Sequence, residues 1–293
     1  MYISIRDDVA LWGGTYPSLK EALDDLGVEA VELRFERDCT VAPLTPADGS
    51  ARRPLDSPDA VKQYRDHLAQ HRVRATALLL LTDFNQPEAE AEVQWVVSAV
   101  RAAQGLGMAT VRVDSNMTGQ RELPFDERVA RVAAAVTRVL RETEETPVAL
   151  GIENHGFQGN DPAWLDALFA AVGSPRFGMT LDTGNFYWAG HPLDRVYEIL
   201  EHFAPRAKHT HCKNIAYPAE LRNQQRDLGW KYGEYVAPFD EGDIDHRRVI
   251  RLLRAAGYDG DLCIEDESMG HYDPAQWREV LRRDVAHFRE LLA

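Results

Sequence analysis

Short runs of β-branched and apolar residues alternate with segments of helical period along this whole chain, and the alternation repeats eight times. Parallel strands need a crossover of a dozen or more residues between them, so this pattern forces strands joined by helices. Eight such units in 293 residues fit a single-domain α/β fold, the (β/α)8 or TIM barrel. An open doubly wound sheet is the alternative. It ordinarily carries a glycine-rich phosphate loop after its first strand, and Gly13-Gly14 lacks that spacing.

Strands are predicted at Tyr2–Ile5, Ala30–Leu33, Ala75–Leu80, Thr110–Val113, Val148–Glu153, Phe177–Leu181, Lys208–His211 and Asp261–Glu265. A helix follows each. The first runs from Ser18 to Leu26 and stops at Gly27; the second opens Ser57-Pro58-Asp59, a capping serine with proline in the first turn. Val93, Val96, Val97 and Val100 mark the third by an i, i+3, i+4, i+7 stripe, and Val129, Val132, Val136 and Val139 mark the fourth. The fifth spans Asp161 to Ala171, and Leu193, Val196, Leu200 and Phe203 carry the sixth. Asp245–Ala256 is the seventh. The last has Pro274 near its start and is expected to bury Trp277, Leu281, Phe288 and Leu292. Two long connections, Glu36–Ser57 and Ile215–Asp243, are predicted as irregular.

Composition narrows the partners. The formal charge is −14, from 47 acidic and 33 basic side chains, which repels phosphate backbones and anionic bilayers and disfavours both nucleic acid and membrane. The longest apolar run, Ala77–Leu81, is far too short to span a bilayer. The opening Met-Tyr-Ile-Ser-Ile-Arg-Asp-Asp has no basic region before a long apolar stretch, so no signal peptide is expected. Cys39, Cys212 and Cys263 lie at no metal-like spacing and suggest no disulfide framework; a reduced, cytoplasmic protein is the expectation.

In a barrel of this kind the chemistry sits at the C-terminal ends of the strands. Four consecutive ends read Gly-Ile-Glu-Asn-His (151–155), Leu-Asp-Thr-Gly-Asn (181–185), His-Thr-His-Cys-Lys-Asn (209–214) and Cys-Ile-Glu-Asp-Glu (263–267). Any one acid closing a strand can be a helix cap or a turn acceptor, and Asp182 before Thr183-Gly184 suits an Asx turn. Together, Glu153, Asp182, His211 and Glu265 form an oxygen-rich set suited to a hard divalent ion such as Mn²⁺, Mg²⁺ or Co²⁺. A cation would also relieve the repulsion among three converging carboxylates. Strand parity puts His209, His211 and Lys213 on one face and turns Cys212 toward the helices. His211 lies nearer the rim than His209, which makes it the expected ligand and His209 an interior residue.

These four stretches, in this order, resemble the xylose isomerase-like TIM barrels, the sugar phosphate isomerase/epimerase superfamily. Gly242-Asp243-Ile244-Asp245 and Gly257-Tyr258-Asp259-Gly260 resemble the approach to its last strand. The resemblance implies one divalent metal, Mn²⁺ first with Mg²⁺, Co²⁺ or Zn²⁺ as alternatives, on Glu153, Asp182, His211 and Glu265. It also implies that Glu153 and Glu265 are an acid/base pair. The chain departs from the family where Asn214 replaces a common acid and Asn185 a common histidine. Ile215-Ala216-Tyr217-Pro218 stands where the epimerases carry a substrate-binding arginine.

The expected chemistry is proton transfer next to a carbonyl through an enediolate, on a sugar or sugar-like polyol. Isomerisation or epimerisation is the first expectation. A lyase dehydrating an inosose or a 3-dehydroshikimate-like compound is the alternative, with His155 or Lys213 supplying the proton to the leaving hydroxyl. His155, Lys213, Asn185, Glu32 and Trp230 are candidate substrate contacts, with structural roles as the plain alternative for Lys213 and Glu32. Trp230, Tyr232, Tyr235 and Phe239 offer aromatic faces to cover a sugar ring, or else to pack in a homo-oligomer. A multi-zinc endonuclease would need more histidines at strand ends and a basic groove, and a binding protein without turnover would keep the ligand set alone.

Overall fold

The structure, a computed structural model, describes residues 1–49, 51–85 and 89–293. Position 50, within the Glu36–Ser57 connection, therefore lies outside the described residues. Eight parallel strands form the central sheet: β1 Tyr2–Arg6, β2 Ala30–Arg34, β3 Arg74–Leu79, β4 Thr110–Asp114, β5 Ala149–Glu153, β6 Phe177–Asp182, β7 Ala207–His211 and β8 Asp261–Ile264. From β1 to β7 each pairs with the next in sequence, and β8 pairs with β1. The seam between β7 and β8 closes through Cys212, which donates to the Cys263 carbonyl at 2.8 Å and accepts from the Glu265 amide at 2.9 Å.

The principal helices are α1 Leu19–Leu26, α2 Pro58–Gln70, α3 Ala89–Leu106, α4 Phe125–Glu142, α5 Pro162–Val172, α6 Leu193–Phe203, α7 His246–Ala255 and α8 Trp277–Leu292. Their starts follow local chemistry. Ser18, Ser57, Asp161 and Asp245 each accept a backbone N–H two or three residues on, satisfying donors that a helix leaves orphaned at its first turn. In α8, Leu281 and Phe288 are fully buried as expected, but Trp277 and Leu292 are only half-buried. The Trp277 indole N–H donates to the Met269 carbonyl at 2.8 Å, a polar tie that a wholly buried ring would have to replace.

The barrel wall alternates. Ile5, Val31, Leu78, Val111, Val113, Leu150, Ile152, Met179 and Leu181 are buried against the helix layer. Residues of opposite parity are polar and equally buried: Ser4, Glu32, Arg112, Glu153, Thr180, His209 and His211. A barrel filled with charge stands only if every charge has a partner, because an unpaired buried ion costs several kcal/mol or more.

Both long connections contain order that the sequence pattern does not announce. Thr40–Val41 pairs antiparallel with Arg53–Pro54, and Asn214–Ile215 with Val236–Ala237. Strand register then aligns the rim. Arg6 lies opposite Glu32, Asp114 opposite Glu153, and Asp182 opposite His211.

Candidate active site

Glu153 at the end of β5, Asp182 at the end of β6, His211 at the end of β7 and Glu265 just past β8 converge on one point. One ligand-type atom from each lies within 4.8 Å of all the others. Among the described residues, three of those side chains hold a buried polar atom with no hydrogen bond: Asp182 Oδ2, His211 Nδ1 and Glu265 Oε2. Orphaned buried acceptors are costly, and three aimed together fit a divalent cation better than any internal hydrogen-bond scheme. The residues present therefore suit the ion that the sequence implies.

Three cations surround the cluster. Arg112, on β4 and 2% exposed, donates from Nε to Glu153 Oε2 at 2.6 Å and from Nη1 to Asp114 Oδ2 at 3.2 Å. Arg6, the last residue of β1, pairs with Glu265 and with Asp8. Lys213 Nζ is 3.3 Å from Asp182 Oδ2, 3.2 Å from Glu265 Oε2 and 3.5 Å from Glu267 Oε1. It stands at ion-pair distance from the two orphaned carboxylate oxygens without hydrogen-bonding them. The Lys213 chain has room there only because residue 184 is glycine; a Cβ at Gly184 would fall 2.4 Å from Lys213 Cγ.

These partners set the charges. Burial alone would raise Glu153, but Arg112 and His211 outweigh it and hold the carboxyl well below its usual range. Burial raises Asp182, and Lys213 and His211 offset only part of that. For Lys213, burial favours the neutral amine, yet Asp182 and Glu267 keep it charged to higher pH than usual.

Of the expected substrate contacts, His155 and Lys213 stay beside the cluster. His155 Nδ1 faces both oxygens of Asp114, at 2.9 and 3.1 Å. Its side chain is 39% exposed, and among the described residues Nε2 has no hydrogen-bond partner. Burial lowers this imidazole, while the Asp114 carboxylate more than compensates and leaves it above the ordinary histidine value.

The three other candidates, Glu32, Asn185 and Trp230, make contacts within the protein. Glu32 is wholly buried and meets no open space; its oxygens face His209 Nε2 at 3.1 Å and His211 Nε2 at 2.7 Å. Asn185 Nδ2 donates to Glu153 Oε1 at 3.0 Å. Trp230 stacks on Tyr235 with ring centroids 5.7 Å apart and leans on Tyr217 at 5.9 Å. Phe239 is buried against His246 and Phe288, whereas Trp230 is only partly buried. The aromatic residues that do line the cleft beside Glu265, of about 440 Å³, are Tyr232 and Trp12, together with Arg6, Arg34 and Glu267. Tyr232 donates its hydroxyl to Glu267.

Arg6, Arg112 and Asp114 were missed in the sequence. Arg6 and Asp114 close β1 and β4, so the strand-end rule would have found them had it been applied to all eight strands. Arg112 shares the parity of Asp114 but lies deeper, where no terminal signal marks it.

A family profile described as the xylose isomerase-like TIM barrel matches residues 21–291. An inosose dehydratase of Serratia proteamaculans (strain 568) is 34% identical over 161 residues, covering 53% of this chain and 52% of that protein, so the chain spans about half the length of that relative. An inosose dehydratase of Lacticaseibacillus casei is 24% identical over 282 residues, covering 86% of this chain and 87% of the relative. Among solved structures, the IOLI protein with a binding zinc atom superposes with a TM-score of 0.72 at 15% identity, covering 98% of this chain and 97% of that one, a likeness of fold. Among the described residues, no helix is long and apolar enough to cross a membrane.

Proposed function

Because the chain belongs to the xylose isomerase-like TIM barrel family, we propose that it is a divalent-metal-dependent lyase that dehydrates a cyclic polyol ketone of the inosose type. The observation that carries this reading is the Asp114–His155 pair at the rim. Loss of a hydroxyl as water needs a proton donor beside the departing oxygen, and a half-exposed imidazole with one nitrogen held by a carboxylate and the other open suits that role. Dehydratase relatives on this family's scaffold support the same choice.

Glu153, Asp182, His211 and Glu265 would hold the ion, which when bound polarises the substrate carbonyl and a neighbouring hydroxyl as a Lewis acid. Mn²⁺ is our first choice, with Mg²⁺, Co²⁺ or Zn²⁺ as alternatives. Glu265 borders the cleft and, with Oε1 on Arg6 and one lone pair of Oε2 facing the ion, would take the proton from the carbon next to the carbonyl on the remaining lone pair of Oε2. His155 Nε2 gives a proton to the β-hydroxyl as the C–O bond breaks. Lys213, beside Asp182 and Glu265, supplies positive charge where the enolate oxygen develops. Trp12 and Tyr232 offer apolar faces to the ring.

Isomerisation or epimerisation is the second reading. His211 Nδ1 lies 3.1 Å from Glu153 and 3.4 Å from Glu265, so the two carboxylates front one point as an acid/base pair would. Against it, both Glu153 oxygens are engaged, by Arg112 and by Asn185.

The test is to incubate Mn²⁺-loaded protein in D₂O with an inosose, 3-dehydroshikimate and a panel of ketoses and aldoses. An enone-type ultraviolet chromophore with loss of water is expected. In His155→Ala, dehydration should fall by about 10²–10⁴-fold while deuterium exchange next to the carbonyl persists. Epimer or isomer formation with exchange and no chromophore would replace the lyase reading with the second one.

A further inference from the structure

Beneath the rim lies a second group of ligand-type side chains: Glu32, His209, His211 and Cys263, again with candidate atoms within 4.8 Å of one another. By composition it could be a second metal site. Its hydrogen bonding says otherwise. Among the described residues, the rim cluster leaves three buried atoms unbonded, whereas no nitrogen or oxygen of the Glu32 and His209 side chains is orphaned and Cys263 Sγ reaches Glu32. Ser4 Oγ donates to Asp261 Oδ2 at 2.5 Å, and Tyr258 donates to Asp261 Oδ1 at 3.0 Å. Asp261 Oδ1 then meets His209 Nδ1 at 2.9 Å, and His209 Nε2 meets Glu32 Oε1 at 3.1 Å. Glu32 Oε2 meets His211 Nε2 at 2.7 Å, and Cys263 Sγ reaches the same oxygen at 3.8 Å. A continuous chain thus runs through the barrel from β8 and β1 to the rim, ending on His211.

Its direction follows from the chemistry of the links. A carboxylate only accepts, so each ring nitrogen hydrogen-bonded to one must carry a hydrogen. His209, with a carboxylate at each nitrogen, donates both ways. His211 hydrogen-bonds one carboxylate, Glu32, through Nε2, which places a hydrogen there; Nδ1 lies 3.1 Å from Glu153 and 3.4 Å from Glu265 but, among the described residues, bonds neither, so its lone pair faces the rim cluster.

We infer that Asp261–His209–Glu32 is a positioning chain that holds His211 in the Nε2–H tautomer and so presents Nδ1 as a metal ligand. This rests on the reading of the rim cluster as the metal site. Carboxylates behind ligand histidines fix ring orientation and raise basicity, and their loss typically weakens metal binding by about 10–100-fold. Glu32→Gln is the sharp variant. An amide offers one acceptor and one donor group where the carboxylate offered two acceptors, so one of the two histidines must reverse.

The experiment has two arms on the full-length protein. In the first, Mn²⁺ dissociation constants are measured from the signal of the free ion for wild type, Glu32→Gln and His209→Gln. A rise of about 10–100-fold is expected for Glu32→Gln, with a smaller rise for His209→Gln. In the second, ¹⁵N spectra of histidine ring nitrogens are recorded on the chelator-treated protein, where His211 should carry its proton on Nε2. Unchanged Mn²⁺ affinity in a folded Glu32→Gln, or a His211 proton on Nδ1 in wild type, would overturn the inference. Two ions per chain, one of them lost in Cys263→Ser, would overturn it in favour of a second metal site. If wild type binds no divalent ion, the rim reading fails instead, and the spectrum still decides the tautomer. If Glu32→Gln does not fold, the wild-type spectrum decides alone.

Discussion

Arg112 shows how a single side chain can make a buried acid tolerable. It fills the space between Glu153 and Asp114 and leaves neither carboxylate alone in the barrel. Replacing it with Met keeps the volume and strands a negative charge. The expected cost is about 3–5 kcal/mol of unfolding free energy in the chelated protein, partly restored when Mn²⁺ is added, read from denaturant midpoints with and without the ion. The residues that converge at the rim were legible in the sequence because strand parity and strand ends are local signals: Glu153, Asp182, His211 and Glu265 come together as that rule predicts. Their counter-charges were not. The partner of a buried glutamate can come from any strand that register brings alongside, and no spacing in the sequence records that Arg6 of β1 will reach Glu265 beside the paired β8. The surroundings of Glu32 were hidden for the same reason, since its two histidine partners are supplied by β7.

At the level of elements, the capping residues that open the predicted helices lie one residue before the starts of α1, α2, α5 and α7, and valine stripes marked α3 and α4, whereas the connections hid their order. A two-residue strand has no period to read. The Asn214–Ile215 ribbon is held instead by one amide. Asn214 Nδ2 donates to the carbonyls of Phe239 and Ile244 at 3.0 and 3.1 Å, and Oδ1 accepts from the amides of Ile215 and Ile244, each at 2.9 Å. The backbone of Gly242 lies so close that a Cβ there would fall 2.0 Å from Asn214 Cγ. This gives a physical reason for asparagine where an acid is common among the proteins that the chain resembles: an aspartate could not donate to either carbonyl. Asn214→Asp should therefore destabilise the fold by at least about 1–3 kcal/mol and open residues 215–243 to limited proteolysis. Equal cleavage rates for wild type and variant would refute the pinning role.

Over the whole molecule, acid sensitivity has a source away from the rim. His246 is packed between Phe239 and Phe288, and burial, helped by His287, pushes its imidazole down to about 3. The unfolded chain binds this proton near the ordinary value of about 6.5, so between that pH and about 3 the unfolded state holds more protons than the folded one. Stability from this group is present above about 6.5 and is lost as pH falls through that window. His246→Phe should flatten that limb of a stability–pH profile measured by denaturant unfolding; an unchanged limb would place the acid sensitivity elsewhere. The cations around the rim act on a different event. Arg6, Arg112 and Lys213 already balance much of the negative charge that the strands bring together. Folding and loading are therefore separable: the chain can finish its barrel before it meets an ion, and the ion then competes with an ammonium for Asp182 and Glu265. An ion taken up late, into a scaffold already built, is chosen by abundance and exchange rate in its surroundings as much as by the donors themselves.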